Sequence, residues 1–296
     1  MLMLEERTRE KLWPRLIEVI ENYLTKVDSA RVAPELDVEE IRGMLAGLDF
    51  AEPAGAVEAL EFVADAMWRF QAHSRHTRYF GLFNPASTTM GIAADALVAA
   101  FNPQLAAWSH SPFAVEVERH LVRAFGQKFG YDLSVADGVF TTGGSEANHT
   151  ALLTALMSAA PEFGEHGLRA LAAQPVIYVS SQGHHSFLKA ARASGLGAAA
   201  VREITVDDDL RMDIGALADR VARDRGAGFR PLMVVATAGT TNAGAIDPIG
   251  ELAEFAARER VWFHVDAAWG GAAAFVPELR AALDGIEKAD SITFDA

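Results

Sequence analysis

The sequence predicts an α/β protein, a mostly parallel β-sheet covered by helices and preceded by an N-terminal helical arm. From about residue 137 onward, short apolar runs alternate with stretches of helical periodicity, the pattern of strands joined by crossover helices. The first 25 residues place Leu12, Trp13, Leu16, Val19, Ile20 and Tyr23 at helical spacing, which makes an amphipathic helix. The strand-like runs end in small and polar residues, where parallel sheets bind their ligands.

Taken in order, the arm helix spans about Glu6 to Thr25 and has no evident partner nearby in sequence, so it is expected to dock elsewhere. A Pro- and Gly-containing stretch from Pro34 to Gly55 reads as loop, and Ala56–Phe70 as a second helix. A third stretch begins near His76, dividing the chain into a helical arm (1–75) and a large domain (76–296). Within the latter the expected strands are Gly138–Thr141, Pro175–Ser180, Val201–Val206, Leu232–Ala236, Val261–Asp266 and Ser291–Phe294. The expected helices are Ser145–Ala160, Ser186–Ser194, Met212–Asp224 and Ile249–Arg260.

Composition narrows the function. With 296 residues, half of them hydrophobic, the chain is long enough for one large domain and an appendage. A formal charge of −14 without a Lys/Arg-rich stretch argues against nucleic acid and anionic membrane as partners. The N-terminus is acidic without an apolar signal core, and the longest apolar stretches, such as Gly91–Phe101, are too short to span a bilayer. A cytoplasmic protein is therefore expected. The absence of cysteine excludes disulfides and thiolate metal sites.

The most informative segment is Val261–Gly271, VWFHVDAAWGG, an apolar strand that carries Asp266 to a turn of small residues. A buried carboxylate without a cationic partner costs several kcal/mol, and no basic side chain is near it in sequence. Ala267, Ala268, Gly270 and Gly271 leave room for a flat ligand, and a protonated pyridine nitrogen suits the carboxylate. Thr141–Asn148 (TTGGSEAN) follows a strand and opens a helix, so its amides and the Ser145 hydroxyl suit an anion such as phosphate; the alternative is a glycine turn with Ser145 as an ordinary N-cap. Ser180–Ser186 (SSQGHHS) follows another strand, and His184 suits stacking over an aromatic ligand. A metal site built from His184, His185 and His264 is disfavoured, because adjacent side chains diverge. Gly195–Ala200 matches a dinucleotide fingerprint only in letters, since it follows a helix and precedes a strand. Thr237–Asn242 (TAGTTN) is a third strand-end loop, with a polar turn as its plain reading. Together, a phosphate loop, a stacking histidine, a hydroxyl loop and a strand-end aspartate meet the needs of pyridoxal 5′-phosphate.

At this point a resemblance enters. GVFTTGGSEANHTALL, SSQGHHSFLKAA, VVATAGTTNAGAIDPI, VWFHVDAAWGG and ADSITFDA, with His76–Pro85 and Trp108–Pro112 upstream, resemble in order the motifs of the group II pyridoxal-phosphate-dependent amino-acid decarboxylases. The resemblance implies an aspartate-aminotransferase-like (fold type I) architecture and a homodimer with the arm wrapped on the partner. It also implies conversion of an L-amino acid to its amine and CO₂. By motif, Asp266 pairs with the pyridinium nitrogen, Ala268 lies beneath the ring and His184 above it, while Gly144 and Ser145 hold the phosphate. Thr240 and Asn148 stand near the ring substituents and the phosphate loop, and Phe83 and Gln104 are candidates for substrate contact. The family's Schiff-base lysine would follow Asp295-Ala296, and none of Lys11, Lys26, Lys128, Lys189 and Lys288 holds that position. The expectation is therefore a segment of a longer parent decarboxylase, inactive by itself. The alternatives are another fold type I enzyme, such as a carbon–carbon lyase or a desulfurase, or a non-catalytic cofactor-binding homologue.

Overall fold

The computed structural model describes residues 3–35, 37–48, 51–81 and 85–295. Phe83 lies outside the described residues. The chain forms two compact units, Met1–Phe101 and Asn102–Ala296, and the boundary read from the sequence near residue 75 falls inside the first.

The first unit is helical. Helix α1 (Glu6–Lys26) contains Pro14 and buries no residue completely. It packs against α3 (Ala56–Phe70), where Arg15 grips Glu61, with Nη2 2.9 Å from Oε2. Farther along, the rings of Tyr23 and Trp68 meet edge to face at 6.1 Å. Contacts made across more than 40 residues leave no periodic trace in sequence. The stretch read as loop from Pro34 to Gly55 contains α2 (Val38–Ala46), started by Asp37, whose Oδ1 accepts from the N–H groups of Glu39 and Glu40, each at 3.0 Å. This N-cap outweighs the local Pro and Gly content. Helix α4 (Thr89–Phe101) leaves Met90, Leu97, Val98 and Phe101 exposed.

The second unit opens with α5 (Pro112–Phe129), which begins with proline in its first turn and ends at left-handed Gly130. It continues through α6 (Gly144–Ala159), α7 (Phe163–His166), β1 (Pro175–Ser180), α8 (Ser186–Ala193), β2 (Val201–Ile204), α9 (Ile214–Gly226), β3 (Arg230–Thr237), α10 (Ile249–Glu259), β4 (Trp262–Ala267) and β5 (Ser291–Phe294). The sheet order is β2-β1-β3-β4-β5 with every neighbouring pair parallel. Side chains alternate across it. Val176, Tyr178, Val234, Phe263 and Val265 face α9 and α10 in one apolar layer. Ile177, Val179, Met233 and Val235 face α6 and α8 in the other. Burial on both faces explains the apolar strands.

Gly138–Thr141 is not a strand. Its Phe140 N–H donates to the Glu118 carboxylate at 3.3 Å instead of entering a ladder, and Val139 is exposed. β2 ends two residues earlier than expected, because Val206 turns away to bridge Met212. The chain runs outward from β1 to β2 and then resumes on the opposite side with β3, so strand order reverses between β1 and β3. A crevice opens at the carboxyl ends of strands around such a reversal.

Candidate functional site

A cavity of about 210 Å³ lies there, lined by Gly144, Ser145, Asn148, His184, Thr237, Gly239, Thr241, Asp266, Ala268, Trp269 and Asp295. Four of the five strand ends contribute to it: His184 follows β1, Gly239 and Thr241 follow β3, Ala268 and Trp269 follow β4, and Asp295 follows β5.

Asp266 sits in β4 beside Thr237 of β3 and Thr293 of β5, and is 7% exposed. Its Oδ2 accepts from Asn148 Nδ2 at 2.8 Å and its Oδ1 from the Ala268 N–H at 3.3 Å. Burial raises its pKa above the ordinary carboxylate range, while those two hydrogen bonds and the His184 ring pull the other way. A carboxylate so placed, facing a cavity without a lysine or arginine in its lining, suits a cationic ligand atom.

Gly144 and Ser145 open α6 at the cavity wall, where a helix N-terminus presents amides to an anion. Glu146 reaches back so that its Oε2 accepts from the Thr142 N–H and hydroxyl at 2.7 and 2.6 Å, a capping interaction that sets the first turn. The β3 loop is tied down by buried Asp247, which accepts from the N–H groups of Met212 and Thr237, both at 2.7 Å. Left-handed Gly239 leaves room for the Trp269 ring, which a Cβ there would strike.

The sequence candidates fall in two groups. Gly144, Ser145, Asn148, His184, Asp266 and Ala268 converge on the cavity. Thr240 is buried beside it, its hydroxyl accepting from the Ala245 N–H at 3.1 Å to close its own loop, and Thr241 takes the lining position. Gln104 is exposed, with its backbone N–H on the Ser111 hydroxyl, and is not part of the lining. The loop Thr237–Asn242 is at the site as its sequence suggested, but Thr237, Gly239 and Thr241 line the cavity in place of Thr240, and Trp269 and Asp295 join them without having stood out in the sequence. Their signal was position, since each ends a strand or follows one closely.

His264 has both ring nitrogens engaged, Nδ1 with Ser291 Oγ at 2.8 Å and Nε2 with Asn148 Oδ1 at 3.0 Å. Burial pushes its pKa from 6.5 down to about 3, so the folded protein holds it neutral. Between those values the unfolded chain binds the extra proton and the folded one does not, so stability falls as pH drops through this window. Between pH 7 and pH 5 the expected loss from this group is about 2 kcal/mol. Urea unfolding at the two pH values measures it, and His264→Gln should remove that component. Equal pH sensitivity in the variant would contradict the assignment.

With this geometry established, comparison with known proteins is decisive. Residues 52–296 match the pyridoxal-dependent decarboxylase conserved domain. The chain belongs to the pyridoxal-dependent decarboxylase family. It is 41% identical over 204 residues to L-2,4-diaminobutyrate decarboxylase of Rhizobium meliloti, covering 69% of this chain and 39% of that protein. It is 29% identical over 294 residues to aromatic-L-amino-acid decarboxylase of Bacillus atrophaeus, covering 99% of this chain and 59% of that protein. Among solved structures, mouse CSAD in apo form aligns with a TM-score of 0.88 at 27% identity, over 98% of this chain and 61% of that one. Oryza sativa TDC with PLP and tryptamine aligns with a TM-score of 0.89 at 28% identity, over 100% of this chain and 64% of that one. The α/β, fold type I class expected from the sequence is borne out. The chain thus spans well under two thirds of the length of both curated relatives. Pyridoxal phosphate is the cofactor of this family, and the cavity fits it: a buried carboxylate for a ring N–H, a helix N-terminus for a phosphate, a histidine ring, and small Ala268 where a flat ring needs clearance.

Proposed function

We propose that the protein decarboxylates an L-amino acid to the corresponding amine and CO₂, using pyridoxal phosphate in this cavity. The observation that carries the reading is Asp266, a buried carboxylate aimed into a cavity whose lining offers it no cationic side chain. The bound cofactor supplies an electron-withdrawing ring that takes up the electron pair released as CO₂ leaves. In this reading Asp266 accepts the ring N–H, Gly144 and Ser145 bind the phosphate at the α6 N-terminus, His184 covers one ring face and Ala268 lies against the other. Asn148 orients Asp266, and Thr240 holds the shape of the loop that presents Thr241.

The reading includes a homodimer. Supporting it are the exposed apolar side chains of α4 within the first unit and, on α5 within the second, exposed Phe113, Val117 and Leu121. Exposed apolar side chains grouped along a helix in this way mark interfaces.

The test uses protein expressed from its native gene, supplied with pyridoxal phosphate and a panel of diamino, aromatic and acidic L-amino acids, since the relatives named above act on the first two of these classes. Equal release of CO₂ and amine from one of them is expected. A carbonyl or sulfide product without CO₂ would establish another lyase instead. Binding without turnover, with no pyridoxyl mass increment after borohydride reduction, would establish a non-catalytic homologue.

A further inference from the structure

His264, considered in the sequence only as a metal ligand, lies in a chain of hydrogen bonds that ends at Asp266. The Trp262 Nε1–H donates to Ser291 Oγ at 2.8 Å. An indole nitrogen only donates, but a hydroxyl oxygen can accept twice, so the directions beyond Ser291 are set from the Asp266 end. Asn148 turns its Nδ2 to the Asp266 carboxylate and therefore its acceptor Oδ1 to His264 Nε2. The neutral ring therefore carries its proton on Nε2 and donates it to Asn148 Oδ1 at 3.0 Å. Nδ1 is then the acceptor and takes the Ser291 hydroxyl proton at 2.8 Å, while Asn148 Nδ2 donates to both Asp266 Oδ2 and Ser186 Oγ, each at 2.8 Å.

We propose that Ser291, His264 and Asn148 form a one-way relay that keeps an N–H donor against Asp266 and so holds its carboxylate in the charged form that keeps the cofactor ring nitrogen protonated. The proposal rests on the cofactor reading above. In the other histidine tautomer, unprotonated Nε2 would oppose the Asn148 oxygen or force the amide to flip. A flipped amide would set its oxygen against the Asp266 carboxylate, two acceptors facing each other in a buried site. Asp266 would then relieve the repulsion by taking the proton itself, leaving the ring nitrogen bare. Donors on this path all point toward Asp266, and none supplies a positive charge that would compete with the ring N–H. His264 and Ser291 do not line the cavity, so they are positioning residues. Their register pairing across β4 and β5 holds the two side chains at one level of the sheet.

The test uses pyridoxamine 5′-phosphate labelled with ¹⁵N in the ring, which needs no lysine linkage to bind. The ring ¹⁵N chemical shift reports protonation of the nitrogen directly, and fluorescence titration gives affinity. Wild-type protein is expected to bind with the ring nitrogen protonated. His264→Phe keeps a ring of similar shape and removes both hydrogen bonds. It should shift the signal to the unprotonated position and weaken binding about tenfold to a hundredfold. His264→Gln retains a donor and an acceptor and should restore the protonated signal. Ser291→Ala, the smaller change, should move the shift and the affinity the same way by less, and it decides the matter if His264→Phe does not fold. A protonated ring nitrogen in folded His264→Phe, or unchanged shift and affinity in Ser291→Ala, overturns the relay. Failure of wild-type protein to bind the probe overturns the cofactor reading, and the relay with it.

Discussion

Replacing Asp266 with asparagine will weaken pyridoxal phosphate binding by about a hundredfold to several thousandfold and leave the ligand-free protein at least as stable as wild type at pH 7. The first half follows from removing one partner of a buried charge pair, which costs about 3–5 kcal/mol. An asparagine at 266 can still accept from Asn148 Nδ2, so its own NH₂ group would face the ring nitrogen, donor against donor. The second half follows from the sign of the Asp266 shift. Its folded pKa lies above 3.8 because burial disfavours the charge. The folded state therefore holds the proton more tightly than the unfolded chain, and ligand-free stability falls as pH rises through the window between the two values. At neutral pH, above the unfolded value, that shift costs the empty fold stability, and a neutral side chain of the same shape removes the cost. Thermal unfolding with and without pyridoxal phosphate checks both halves. A variant that melts lower than wild type without ligand, yet gains as much from the cofactor, would show Asp266 to be structural. The combination expected here, stability kept or gained while binding is lost, is the mark of a residue held in a strained position for its ligand.

Much of this site could be read from sequence because its positions follow from the sheet. An acidic residue closing VWFHVD stands out against a strand that is otherwise apolar, and glycines opening a helix after such a run announce an anion site. The segments PVIYVS and LMVVA are apolar because both faces of the sheet are covered. What escaped sequence reading was decided by contacts between distant segments. The relay joins His264 to Asn148 across 116 residues and to Ser291 across 27, and each of the three is an unremarkable polar residue in its own segment. The helix α2 was hidden because Asp37 starts it inside a stretch whose prolines and glycines read as loop. GVFT has the composition of a strand, but no other strand pairs with it among the described residues. Thr240 and Thr241 are indistinguishable in sequence, and only the closing of the loop onto Ala245 shows which hydroxyl turns inward.

Gly270→Ala should cost about 2–3 kcal/mol and lower the melting temperature by roughly 3–5 °C, a large effect for one methyl group. The Gly270 N–H donates to Ala238 O at 3.0 Å, and the Ala238 N–H donates to Asp266 O at 2.8 Å. The ends of β3 and β4 are thus joined at Ala238 directly beside the cavity. A Cβ on Gly270 would press on the Ala238 carbonyl oxygen and come within 2.9 Å of its carbon. Both are backbone atoms, so no rotamer change relieves the contact, and the β3 loop must shift as a body. That loop carries Gly239 and Thr241 into the cavity, so cofactor affinity should fall together with stability. Gly226→Ala in α9 is the control, because a Cβ there meets nothing within 4 Å. It should leave stability unchanged or raise it by about 0.4–1 kcal/mol through the unfolded state. If the two variants melt together, the close approach of the β3 and β4 ends is not what shapes the site. If Gly270→Ala alone melts early and binds weakly, the backbone contact between the strand ends helps hold the binding geometry, and glycine is required there for its lack of a side chain.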